Sequence, residues 1–133
     1  KSRADLFRIE GDPAAPLALV SWGSVSGVAR EALATAESKG LHVKLLIPIL
    51  LFPVAEAIYR RFFRGVRAGL VVEQSCQGQL HRILRMYVDL PPGLRSFSKS
   101  GSNPISSEEV VEALRDAALT LQRERTHELQ PQE

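Results

Sequence analysis

The chain has 133 residues, enough for one domain with a buried core. Hydrophobic residues make up 44% and charged residues 24%, which excludes disorder, a collagen-like repeat and a disulfide scaffold. Lys and Arg total 17 against 15 Asp and Glu, a net charge of +2, too small to read as a nucleic-acid binder without a basic patch.

There is one cysteine, Cys76, so no internal disulfide can form. It cannot supply the thiolate set of an iron–sulfur cluster, and the usage suits a reducing, cytoplasmic setting. The chain opens at Lys1 rather than at Met. That leads us to expect a domain cut from a longer polypeptide, with residues 1–122 as a single α/β domain and 123–133 as a polar, fraying tail. No secretory or membrane-spanning segment is expected, because the apolar stretch 45–57 is short and carries Pro48, Pro53 and Glu56.

Strand and helix signals alternate along the chain. Residues 5–10 alternate weakly and fit an edge strand, which the turn at Gly11, Asp12 and Pro13 ends. Residues 17–22 form a nearly continuous apolar run, as in a strand buried on both faces. From 27 to 39, Val28, Ala32 and Ala36 recur at helical spacing until Gly40 stops them. Residues 43–47 read as a second buried strand, and Pro53 can open a helix that reaches Gly65. Residues 68–73 are a third strand. Leu80, Ile83, Leu84 and Tyr87 mark another helix, ended by Pro91, Pro92 and Gly93. Residues 94–98 form a weaker strand, and Ser106 with Glu109 makes a capping box before the last helix. This order implies right-handed crossovers and a three-layer α/β/α domain on a mainly parallel sheet.

In open parallel sheets ligands bind at the carboxyl ends of the strands. Two segments fall there. Trp22, Gly23, Ser24, Val25, Ser26 and Gly27 lead into a helix, whose free N–H groups can hold an anion or simply form a tight turn. No glycine-rich nucleotide fingerprint accompanies them. The other segment is residues 73–79. Glu73 closes an apolar strand, so it either reaches solvent or has a fixed partner. Cys76 reads as a passive loop thiol rather than a nucleophile. The three histidines lack metal-ligand spacing, so no metal site is expected. Arg60, Arg64 and Arg67 recur at i, i+4, i+7, a weaker basic patch that reads as a solvated face or as a seat for an acidic protein or phosphate. No catalytic constellation is present.

The segments, taken in order, resemble the C-terminal domain of the alpha subunit of 2-oxoacid:ferredoxin oxidoreductases, especially the 2-oxoglutarate type. The pieces are Val20-Ser21-Trp22-Gly23-Ser24; Leu45-Leu46 with Pro53; Val71-Val72-Glu73-Gln74 with Gly78-Gln79-Leu80; Lys99-Ser100-Gly101; and Pro104-Ile105 before Glu108-Glu109-Val110. The family often shows a basic residue where Ile49 stands, a proline at Ala55 and an acidic residue at Ser100. The resemblance implies a transketolase C-terminal-like fold with a five-stranded mixed sheet whose first strand is antiparallel. It implies a parent enzyme using thiamine diphosphate, magnesium, iron–sulfur clusters and coenzyme A, with ferredoxin as acceptor. None of those cofactors is expected on this domain. Its implied role is non-catalytic packing against other domains and subunits, and a place on the approach of coenzyme A. No nucleic acid or membrane is implied. The candidate interface or ligand-binding residues are Gly23, Ser24, Glu73, Gln74 and Gln79. The equivalent domain of a transketolase or of a 2-oxoacid dehydrogenase beta subunit, and an independent anion- or nucleotide-binding module, are the alternatives.

Overall fold

A computed structural model describes residues 7–48, 56–74, 79–98 and 104–129, with backbone alone at 24, 79 and 125–129. Five strands form one sheet: β1 (Phe7–Gly11), β2 (Leu17–Ser21), β3 (Val43–Pro48), β4 (Ala68–Glu73) and β5 (Gly93–Ser98). Four helices connect or follow them: α1 (Ser26–Ser38), α2 (Glu56–Phe63), α3 (Gln79–Tyr87) and α4 (Ser107–Leu129). The strand order is β1-β3-β2-β4-β5. Only β1 runs antiparallel, pairing Ile9 with Leu46, while β2 pairs in parallel with both β3 and β4.

β2, β3 and β4 are buried along their whole length. Their side chains alternate between two cores, as the period of a strand requires. Leu19, Leu45 and Val72 face α1 and α4, while Val20, Leu46 and Val71 face α2 and α3. Small Ala29, Ala32 and Ala36 line the inner side of α1 and let it lie close to the sheet. Larger Tyr59, Phe62 and Phe63 fill the α2 side. Tyr59 meets the edge of Phe7 at 5.4 Å between ring centroids. Burial pushes the Tyr59 hydroxyl up to about 12 by disfavouring the phenolate.

Two positions depart from simple patterning. Lys44 lies inside β3, buried with its stem among apolar groups. Its ammonium donates to the carbonyls of Pro13 and Arg64 at 3.5 and 3.3 Å and sits 5.0 Å from the Phe62 ring centroid. Burial lowers its pKa, and the Asp12 carboxylate opposes that shift. Gly69 is forced by proximity, since a Cβ there would lie 2.1 Å from the carbonyl oxygen of Ala18 on β2.

The alternation read from the sequence corresponds element by element to this order. α4 runs to Leu129, so residues 123–129, expected as a fraying tail, are helical. They contain no glycine or proline, and the next breaker is Pro131. The expected start of α2 at Pro53 lies outside the described residues, as do Asp5, Ile49, Ala55 and the Lys99-Ser100-Gly101 piece. Among the described residues no helix is long and apolar enough to cross a membrane.

Leu46 is fully buried on β3, an inner strand flanked by β1 and β2. Leu46→Ala should cost about 2–5 kcal/mol through the cavity it leaves, read from the denaturant midpoint. A loss below about half a kcal/mol would contradict a central position for β3.

Candidate functional site at the carboxyl edge of the sheet

α1 leaves β2 toward one face of the sheet, whereas α3 leaves the neighbouring β4 toward the other. The carboxyl ends of β2 and β4 therefore flank a topological switch point, the usual crevice for ligands in such sheets. Ser21 pairs with Val72 there, which brings Trp22 and Gly23 beside Glu73 and Gln74. The sequence reading assigned both segments to the carboxyl edge, and the strand order of the family it resembles makes them neighbours; the register does so here.

Glu73 is 1% exposed and has a fixed internal set of donors. The Trp22 indole N–H donates to its Oε1 at 2.9 Å. The backbone N–H of Leu80 donates to the same oxygen at 2.7 Å, and that of His81 to Oε2 at 3.3 Å. The carboxylate thus caps the first turn of α3, where the helix dipole favours negative charge. Of the two alternatives for Glu73, reaching solvent or a fixed partner, the structure shows the partner.

Gln74 serves the opposite layer. Its Oε1 accepts the N–H of Ile105 at 3.1 Å, just ahead of α4. That helix start also closes the expected capping box. Ser106 Oγ accepts the Glu109 N–H at 3.2 Å, and Glu109 Oε1 accepts the Ser106 N–H at 3.1 Å.

The start of α1 is different. Gly23–Val25 make a 3-10 turn, and neither that turn nor α1 has a side-chain cap or an acidic residue in its first turn. Gly23 has φ +71°, a conformation open to glycine at little cost. Ser26 Oγ donates to the Gly23 carbonyl at 2.6 Å. Ser21 Oγ, buried at the end of β2, has no hydrogen-bond partner among the described residues. Nothing is described of the side chains of Ser24 and Gln79. Cys76 and Gly78 lie outside the described residues.

The arginines do not join this edge. Arg60, Arg64 and Arg67 are exposed along and after α2, where the chain enters β4 from the amino edge. Arg60 pairs with Glu56 at 3.9 Å, within its own helix. Among the described residues no group of three His, Cys, Asp or Glu could hold a metal ion.

The sequence reading missed Trp22 as the partner of Glu73. The signal was there: a lone indole donor at the end of one buried strand, and a carboxylate at the end of another. Each is costly to bury alone, and together they satisfy each other.

These features define the fold as a three-layer α/β/α domain of the transketolase C-terminal-like kind. No family model matches the chain. The chain is 32% identical over 107 residues to the alpha subunit of 2-oxoacid:ferredoxin oxidoreductase 2 of Aeropyrum pernix, across 80% of this chain and 16% of that protein. It is 35% identical over 107 residues to the ketoisovalerate oxidoreductase subunit VorB of Methanothermobacter thermautotrophicus, across 78% of this chain and 29% of that protein. The chain thus spans less than a third of the length of these curated relatives. Among solved structures, it superposes on the 2-oxoglutarate:ferredoxin oxidoreductase of Magnetococcus marinus with a TM-score of 0.78 and 30% identity, covering 84% of this chain and 19% of that one. That enzyme was solved with 2-oxoglutarate, coenzyme A and succinyl-CoA bound. Transketolase from Leishmania mexicana shares the fold at a TM-score of 0.59 and 23% identity, over 86% of this chain and 18% of that one.

Removing the Glu73 carboxylate leaves buried N–H groups without an acceptor. Glu73→Ala should destabilise the chain by about 1–3 kcal/mol and change the emission of Trp22. Trp22 is the sole tryptophan, so fluorescence reports this contact directly. Stability and emission both equal to the parent chain would show that Glu73 does not hold α3.

Proposed function

We propose that this chain is the C-terminal-like packing domain of a thiamine-diphosphate-dependent 2-oxoacid:ferredoxin oxidoreductase alpha subunit, in a cytoplasmic enzyme that converts a 2-oxoacid to its acyl-CoA. The observation that carries the non-catalytic reading is the Trp22–Glu73 hydrogen bond, which closes the switch point from within. The edge that would hold a ligand in a free-standing α/β enzyme is engaged in holding α3. The similarity to three curated oxidoreductase subunits over some four-fifths of the chain supports the parent activity. The single cysteine cannot hold an iron–sulfur cluster, so in this reading the clusters, thiamine diphosphate and magnesium belong to other parts of the parent.

The domain then contributes a surface. In this reading Gly23, Ser24, Gln74 and Gln79, which follow β2 and β4 at the carboxyl edge, meet other domains or subunits, or the approach of coenzyme A. Glu73 acts behind them by fixing Trp22 and α3. The substrates to assay first are 2-oxoglutarate, after the structural neighbour at 30% identity, and ketoisovalerate, after the relative at 35%.

The chain by itself should show no 2-oxoacid oxidation with thiamine diphosphate, magnesium, coenzyme A and an artificial acceptor, and no iron–sulfur absorbance. Deleting it from the parent enzyme should disrupt subunit assembly, measured by light scattering after size exclusion. Turnover by the isolated chain, or a deletion that leaves assembly and kinetics intact, would overturn this reading.

A further inference from the structure

β1 is one margin of the sheet. Its inner side pairs with β3 in antiparallel register, and among the described residues no strand pairs with its outer side. An edge of this kind offers a row of backbone donors and acceptors to a further strand. Ile9 stands opposite Leu46, so both point to the α2 face of the sheet, yet Leu46 is fully buried and Ile9 is 57% exposed. Phe7 shares that face and packs against Tyr59. Arg8 and Glu10 take the opposite face, which carries α1. There Glu10 Oε2 meets Arg30 Nε of α1 at 3.0 Å. Arg8 is exposed and makes no ion pair among the described residues.

Charged residues on an edge strand usually discourage pairing. Here their order selects one pairing instead. Consider a second β1 laid antiparallel against the open side. With Ile9 opposite the partner's Ile9, Arg8 falls opposite the partner's Glu10, and Glu10 opposite the partner's Arg8. Sliding by two residues sets Arg8 against the partner's Arg8 or Glu10 against the partner's Glu10, and directly opposed like charges repel. Sliding by one sets Ile9 against a charged residue and mismatches the faces. A carboxylate has two oxygens, so Glu10 can keep Arg30 on Oε2 and take the partner's Arg8 on Oε1. On the other face the two isoleucines cover apolar surface that each leaves to water alone.

We propose that the outer edge of β1 is an interface between two copies of this chain, related by a two-fold axis beside Ile9. Their sheets join into one continuous sheet, β1 against the partner's β1. A second copy is the occupant because the strand is its own complement: basic, apolar and acidic residues at 8, 9 and 10 match the same series read backwards. Five paired residues bury little area, so the association is reversible. The inference does not rest on the oxidoreductase reading, since it uses β1 alone and its test reads mass rather than turnover.

The test is sedimentation velocity of the chain from about 10 μM to about 1 mM, a range suited to a weak interface. The expected result is a monomer–dimer equilibrium that shifts with concentration. Arg8→Glu gives each edge two carboxylates, and Glu10→Arg gives it two guanidinium groups. Each variant alone should self-associate about tenfold more weakly or worse. An equimolar mixture of the two variants restores opposite charges at both cross-strand positions, so it should dimerise within about threefold of the parent chain. That recovery also shows that both variants are folded. In a Cys76→Ser background, Ile9→Cys should oxidise to a covalent dimer faster than Arg8→Cys, because only position 9 faces its own copy. A monomer throughout the range would overturn the proposal and leave this edge to a strand of a different chain. So would a dimer that both charge variants leave unchanged, a mixture that associates no better than its components, or equal cross-linking at positions 8 and 9.

Discussion

Two consecutive residues at the end of β4 tie the three layers together. Glu73 accepts the first N–H groups of α3 on one side of the sheet, and Gln74 accepts the N–H of Ile105 before α4 on the other. A strand alternates its side chains between faces, so neighbours at its end can reach helices in opposite layers. Trp22 adds the lateral link, fastening the end of β2 to the same carboxylate. One polar cluster thereby fixes the edge of the central strand pair and the starting points of two helices. Burying a carboxylate is costly, and here the cost is met by donors from three sources: an indole and two amides at a helix start. An apolar residue at 73 could fill the space but could not orient α3.

Much of the architecture was legible because its causes are local. The apolar run at 17–22 and the helical spacing of Val28, Ala32 and Ala36 point to a buried strand and an amphipathic helix, and β2 and α1 follow. Ser106 and Glu109 sit at capping-box spacing, and both hydrogen bonds form. The proximity of Gly23 to Glu73 followed from the strand order that the family resemblance implies, not from the residues themselves. What local pattern could not show was satisfaction across the sheet. The Trp22–Glu73 bond spans fifty-one positions, and no periodicity encodes it. Residues 43–47 read as a buried strand, but what accepts the Lys44 ammonium inside it, the carbonyls of Pro13 and Arg64, is distant in sequence and left no local signal. The length of α4 escaped because a polar segment gives no amphipathic signal, although its helix propensity is good and nothing interrupts it before Pro131.

The two ends and the flank of the sheet differ in how far they are closed. At the carboxyl edge the helix starts are largely supplied: α3 by Glu73, α4 by its capping box and α2 by Glu56 in its first turn. α1 has no such group; the 3-10 turn at Gly23–Val25 leads into it, and the Ser26 N–H donates to the Gly23 carbonyl. At the amino edge Lys44 links Pro13 to Arg64 through carbonyl contacts alone, which leaves the nearby arginine side chains turned to solvent. Along the flank, Arg67, Arg95, Asp116 and Glu124 line a gap between β5 and α4. Internal polar bonding is therefore concentrated where strands turn into helices, although Ser21 Oγ at the end of β2 has no partner among the described residues. Under the proposed packing role, the bonds inside the carboxyl edge hold the shape of the domain, and the uncapped start of α1 on that edge is left to meet a neighbouring surface.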